Sequence, residues 1–175
     1  MKYIFDFDDV LFNNTEQFKK YMYECLEDAG VPSHVAVEYY KKVRHEFSLR
    51  NFLTHFGKEH IYEKIMSKCP DFLNTELLEI IKKIRKENCY MITHGEKEYQ
   101  LDKIKKTGIT PLFSEIIVIQ GSKKEAVERV CAKHKGEEVI FIDDRADRFA
   151  DLDFKKFPNL KTILYTGQNL EPYLQ

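Results

Sequence analysis

The sequence predicts an α/β fold, a three-layer α/β/α sandwich around a parallel sheet. Three observations predict it. Five short apolar runs of about five residues are spaced along the chain. Segments of helical periodicity separate them. The runs are near-continuously apolar, the pattern of strands buried on both faces by crossover helices. Such crossovers are expected to be right-handed.

The elements follow in order. Lys2 to Asp6 reads as the first strand. Asn14 is a candidate helix cap with Gln17 three residues on, and Phe18, Tyr21, Met22 and Cys25 then mark one helical face. Gly30-Val31-Pro32-Ser33 stops that helix. Helical patterns run from Val35 to Phe47, Leu49 to Phe56 and Lys58 to Lys68, punctuated by Ser48, Gly57 and Pro70. Glu76 to Lys86 is amphipathic, with Leu77, Leu78, Ile81 and Ile84 on one side. Cys89 to Thr93 is a strand, Lys97 to Lys106 a helix carrying Leu101 and Ile104, and Glu115 to Ile119 a strand. Lys123 to Lys135 is a helix with Ala126, Val127, Val130 and Cys131 facing the core. Val139 to Ile142 and Leu160 to Leu164 are the last strands, with a short helix or turn through Leu152 between them. The expected organisation is a core of residues 1–13 and 73–175, interrupted by a helical insertion at 14–72.

Composition narrows the function. The chain has 175 residues, 28 basic against 29 acidic, and a net charge of −1. That balance offers no polyanion-binding surface, so no nucleic-acid partner is expected. No apolar run reaches the roughly 18 residues of a membrane span. The chain opens directly into its first strand, so no signal peptide is expected. Cys25, Cys69, Cys89 and Cys131 are scattered and form no C-x-x-C pair. They read as reduced thiols of a cytoplasmic protein.

The polar residues fall at the strand ends, where open α/β sheets bind ligands. The first strand ends in Asp6-Phe7-Asp8-Asp9 and the second in Thr93-His94-Gly95. The third leads to Ser122-Lys123-Lys124, and the fourth ends in Asp143-Asp144. Singly, each has a plain reading as a turn, a cap or a solvated helix start. Their succession on consecutive strand ends points to one site. Buried carboxylates need a cation, and an all-oxygen set suits a hard one such as Mg²⁺. Phosphoryl transfer fits this set. A carboxylate can attack phosphorus if a cation screens the repulsion. A second carboxylate then handles protons. Asp6 and Asp8, two apart in an extended segment, project to one side. Thr93 and Lys123 would hold the phosphate oxygens, with His94 and Gly95 beside them on the substrate side. Asp143 and Asp144 would complete the metal shell.

The pattern resembles the haloacid dehalogenase-like (HAD) hydrolase superfamily over the whole chain. Asp6-Phe7-Asp8-Asp9-Val10-Leu11 is similar to its first motif, D-x-D-x-[TV]-[LV]. Thr93 is similar to its second motif, Lys123 to its third, and Ile140-Phe141-Ile142-Asp143-Asp144 to its acidic fourth. The resemblance implies a Rossmann-like core with a helical C1-type cap at 14–72. It implies Asp6 as nucleophile and Mg²⁺ ligand, and Asp8 as general acid/base that lends its main-chain carbonyl to the metal. Asp8 also argues against a true dehalogenase. Lys123 is preferred to Lys124 on register. Asp143 and Asp144 both remain open as ligands, and Asp147 is a candidate second contact.

The expected function is therefore an Mg²⁺-dependent phosphatase for a small phosphorylated metabolite. A sugar phosphomutase, a nucleotide phosphatase and a non-enzymatic phosphoacceptor module are the alternatives. Tyr39, Tyr40, His45, Phe52, His55 and His60 enrich the insertion in aromatic residues and histidine. They read mainly as its own small core and surface. Arg44 and Arg50 read as solvated, with recognition of a second anion as the sharper alternative. Oligomeric state is not legible.

Overall fold

The structure is a computed structural model that describes residues 1–174. Strands β1 (Lys2–Phe5), β2 (Cys89–His94), β3 (Glu115–Ile119), β4 (Val139–Asp143) and β5 (Leu160–Leu164) form one sheet in the order β3-β2-β1-β4-β5. Every pairing is parallel. This is the Rossmann-like α/β arrangement the sequence predicts. The chain steps outward from β1 through β2 to β3, then returns to the other side of β1 for β4 and β5. The reversal lies between β1 and β4, where such sheets open a crevice at their carboxyl ends.

Strand alternation splits the core into two layers. On one face Tyr3, Phe5, Met91 and Ile142 pack with Leu77 and Leu78 of α5 (Thr75–Ile81) and Ile104 of α6 (Lys97–Thr107). On the other, Ile4, Tyr90, Ile92 and Phe141 pack with Val127 and Val130 of α7 (Lys124–Lys133).

Four helices lie between β1 and α5: α1 (Thr15–Asp28), α2 (Ser33–Val43), α3 (Leu49–His55) and α4 (Tyr62–Met66). Asn14 caps α1 by accepting from the Gln17 amide at 3.0 Å, the cap the sequence marks. The segment leaves and returns at one place. Phe12 bridges antiparallel to Leu73, and the Asn13 amide donates to the Phe72 carbonyl at 2.8 Å. Its aromatic residues do pack together, with Tyr39, Tyr40, Phe47 and Phe56 around Phe52. That cluster is continuous with the sheet-face core. It also docks on α6, through the Phe47–Tyr99 rings 5.5 Å apart and the Tyr62 hydroxyl donating to Asp102 at 2.6 Å.

Three elements differ from the sequence pattern. The helix expected over 76–86 ends at Ile81, where the Lys83 and Ile84 amides tighten onto carbonyls three residues back. The 58–68 helix begins as a 3₁₀ turn, Glu59–Ile61, before α4. The 35–47 helix starts at Ser33 and breaks after Val43 into a 3₁₀ turn, Arg44–Glu46. That break turns Phe47 back onto Phe52 and Tyr99.

Asn74 holds the two halves of the core at the insertion's exit. Its buried side chain accepts from the Leu77 amide at 3.1 Å to cap α5. It donates to the Val10 carbonyl at 3.1 Å and to the Tyr165 hydroxyl at 2.8 Å. Asn74→Ala removes a cap and strands two acceptors, so about 1–3 kcal/mol of stability is expected to be lost. Urea denaturation measures it, and an unchanged midpoint would contradict the assignment.

Candidate active site

The loop after β1 is pinned by its own apolar residues. Phe7, Val10, Leu11 and Phe12 are fully buried, and the Leu11 and Phe12 amides both donate to the Phe7 carbonyl at 3.0 and 2.8 Å. Asp9 turns the chain in the left-handed region (φ 56°), which Asp tolerates better than most residues. Its carboxylate accepts from the Thr15 amide at 3.1 Å. The carboxylates of Asp6 and Asp8 therefore stand on a rigid loop.

Asp6 follows β1, its amide donating to the Ile142 carbonyl of β4 at 2.9 Å. This places it directly beside Asp143, the last residue of β4. Lys123, at the N-terminus of α7, reaches into the gap. Its ammonium lies 2.8 Å from Asp6 Oδ1 and 2.6 Å from Asp143 Oδ2, and all three side chains are buried. Lys124 instead faces Glu128 at 2.6 Å and the Asp151 carbonyl at 2.5 Å. Thr93, on β2, is 1% exposed and its hydroxyl has no hydrogen-bond partner in the protein. His94 and Gly95 continue the same strand end, the His94 ring against the Gln120 carbonyl at 3.2 Å. Burial, then the nearby charge of Arg148, pulls the His94 pKa down. Gly95 has φ 153°, and a Cβ there would meet Gln100 at 2.7 Å. Only glycine admits that contact.

Asp144 joins the cluster. Asp6, Asp143 and Asp144 each offer a carboxylate oxygen within 4.8 Å of the others. Three carboxylates face one ammonium, so negative charge is in excess. Burial, offset in part by Lys123 and reinforced by Asp143, raises the Asp6 pKa to about 7. Burial, then the charges of Asp143 and Asp9, raises Asp144 to about 6. A hard divalent cation fits this oxygen-only set and would relieve the excess. Asp147 stands apart, its carboxylate bound by Arg145 at 2.6 and 3.1 Å.

The Asp8 side chain is not one of the three. Its carboxylate pairs with the ammonium of Lys103 and accepts from Gln100 Nε2 at 2.7 Å, both on α6. Lys103 is buried, its ammonium 3.8 Å from the centre of the Phe12 ring. Gln100 also donates to the His94 carbonyl at 3.1 Å. Sequence reasoning missed both residues. Above this floor lies a cavity of about 290 Å³ between the inserted helices and the core. Among the described residues the buried side-chain oxygens without a partner are those of Thr15, Thr93 and Gln100, all at this end of the sheet.

A family model described as "haloacid dehalogenase-like hydrolase" matches residues 3–148. The chain belongs to that family and is a hydrolase by membership. Solved structures of the same family share the fold. A HAD-like hydrolase of Burkholderia xenovorans has a TM-score of 0.67 at 14% identity, covering 98% of this chain and 86% of its own. YfnB of Bacillus subtilis, a HAD-hydrolase bound to magnesium, has 0.54 at 17%, covering 92% and 84%. A family hydrolase of Xanthomonas campestris has 0.51 at 15%, covering 83% and 75%. No curated protein matches the chain. No helix among the described residues is long and apolar enough to cross a membrane.

Proposed function

We propose that this chain is an Mg²⁺-dependent phosphatase that cleaves a small phosphomonoester through an aspartyl-phosphate on Asp6. One observation carries the reading. The Lys123 ammonium lies within 2.8 Å of both Asp6 and Asp143 at the switch point of the sheet, and Thr93, its hydroxyl unpartnered, lies on β2 next to β1.

Asp6 attacks phosphorus with the oxygen not engaged by Lys123. The Asp6–phosphorus bond forms as the bond to the leaving oxygen breaks. Thr93 donates its buried hydroxyl hydrogen to a non-bridging phosphate oxygen, the partner it lacks inside the protein. Lys123 places its positive charge where charge accumulates. In its protonated form Asp8 gives a proton to the leaving oxygen and, then ionised as in its pair with Lys103, takes one from the water that hydrolyses the acyl-phosphate. Asp6, Asp143 and Asp144, with the Asp8 carbonyl, would hold Mg²⁺. When bound it supplies the charge neutralisation that lets a carboxylate approach a phosphate. The inserted helices, 14–72, serve as the cap over the cavity. A cavity of about 290 Å³ suits a small metabolite better than a folded partner. Scattered reduced cysteines fit a cytoplasmic setting.

The test uses an aryl phosphate with Mg²⁺, with EDTA, and with Asp6→Asn. EDTA is expected to abolish turnover. Asp6→Asn is expected to lower it by roughly three orders of magnitude or more, as loss of a nucleophile does. Equal rates in all three would discard the reading.

A further inference from the structure

The cavity above the site holds more positive charge than its acids neutralise. Lys19, Arg44, Lys103, Arg145 and Arg148 line it, against the carboxylates of Asp8 and Glu96. Most of these groups are already engaged. Lys103 is on Asp8, Lys19 on Glu16, and Arg145 on Asp147. The Glu96 carboxylate accepts from the Glu98 and Tyr99 amides at 3.0 and 2.8 Å, capping α6. Arg44 and Arg148 remain. Among the described residues no carboxylate lies within 4.0 Å of either guanidinium.

Arg44 and Arg148 share the cavity wall with Asp8, His94 and Gly95. Asp6, Thr93 and Lys123 do not line this cavity, and Lys123 is already neutralised by Asp6 and Asp143. The two free guanidiniums come from different segments, Arg44 from the turn after α2 and Arg148 from the 3₁₀ turn after β4. Arg148 is half-buried, and a cation in that setting loses hydration that only a counter-charge restores. Arginine's planar fork suits a carboxylate or phosphate group. Arg44 is exposed, as the solvated reading expects, and it also stands on the wall of the cavity.

We propose that the substrate carries a second anionic group besides the phosphate that is cleaved, and that Arg44 and Arg148 hold it across the boundary between inserted helices and core. The inference rests on the phosphatase reading, and it names the substrate class as bis-anionic. Propyl phosphate would lack half of its binding groups. A three-carbon phosphate ending in a carboxylate or a second phosphate would have them all.

Calorimetric titration of the Asp6→Asn protein with Mg²⁺ tests this, since the ligands then stay intact. The probes are propyl phosphate, 3-phosphopropanoate and propane-1,3-diyl bisphosphate. At least one bis-anion is expected to bind about tenfold or more tighter than propyl phosphate, the scale of one charge-assisted contact. The better of the two identifies the second group as carboxylate or phosphate. In Asp6→Asn/Arg44→Met and Asp6→Asn/Arg148→Met, that ratio is expected to fall toward one. Equal affinity for all three probes overturns the proposal, and so does a ratio that survives both arginine changes. Hydrolysis of the same probes by wild-type protein is followed in parallel. A preference in binding with no hydrolysis of these probes or of the aryl phosphate overturns the phosphatase reading and leaves the anion pair standing. Hydrolysis without preference in binding overturns the anion pair alone.

Discussion

Lys123→Met is expected to cost about 3–5 kcal/mol of stability in metal-free protein, the usual result of removing one partner from a buried ionic cluster. Lys123 is the cation that faces both Asp6 and Asp143, and none of the three has appreciable access to water. Methionine fills similar space and stays apolar, so a void is not the cause of the loss. Two dependences identify the cause as charge. On the proposed function Mg²⁺ would bind the same carboxylates, so it is expected to raise the variant's melting temperature more than the wild type's. The deficit is also expected to shrink at low pH. The Asp6 carboxyl already stands at about 7 with Lys123 beside it, so its folded pKa exceeds its unfolded one. Loss of the ammonium widens that gap. Below about 7 the folded Asp6 is protonated in both proteins, so the deficit opens as pH rises past about 7 toward the variant's still higher pKa, and fades below it. Denaturant titrations at pH 5 and pH 8, with EDTA and with Mg²⁺, read all of this. A variant as stable as wild type at pH 8 in EDTA would contradict the account.

Lys123 also shows why so much of the site was legible. A parallel strand buried on both faces is a short apolar run, and its end is marked by the first polar residues. β1, β2 and β4 are the strands buried in this way, while the half-buried edge strands β3 and β5 still span the residues that the sequence pattern marks. Because the sheet is parallel, successive strand ends share one edge, so Asp6, Thr93, Lys123 and Asp143 could be gathered before any coordinates. The same logic stops at α6. The sequence marks Leu101 and Ile104 as its buried face, yet Leu101 is 40% exposed. The buried positions are Gln100, Lys103, Ile104 and Thr107. Their spacing, i, i+3, i+4, i+7, is that of a core face, but only one of the four is apolar. Hydrophobic periodicity misses a face chosen for hydrogen bonding. Lys103 resembles Lys105 and Lys106 in type and spacing, and only the fold puts it against Phe12 and Asp8. The sequence offers Arg44, with Arg50, as an alternative contact for a second anion, while Arg148 is illegible for a related reason. An arginine on a solvated turn and one on a cavity wall look alike until the chain closes the cavity.

Lys103→Met is expected to reduce turnover in a way that depends on the leaving group. Lys103 and Gln100 make the polar contacts of the Asp8 carboxylate, and the Lys103 stem is packed beneath α6. Lys103 is therefore a positioning residue. On the proposed mechanism it acts through Asp8, fixing where that carboxyl would deliver its proton. An alkyl phosphate leaves as a poor leaving group and needs that proton, so kcat is expected to fall about 10²–10⁴-fold, the full worth of a positioned general acid. A nitrophenyl phosphate leaves as a stable anion, and its kcat is expected to fall far less. KM for both is expected to move little, because Thr93 and Lys123 remain in place. Lys103→Arg keeps the charge and is expected to recover part of the alkyl rate. A role in folding alone would scale both substrates down together, in proportion to the fraction of protein unfolded. Melting curves fix that fraction, and the side chain of Asp8, 27% exposed, can reach water when its partner is gone. Equal losses on alkyl and aryl substrates at full foldedness would mean that Asp8 is held by something else, or that the proton comes from another group.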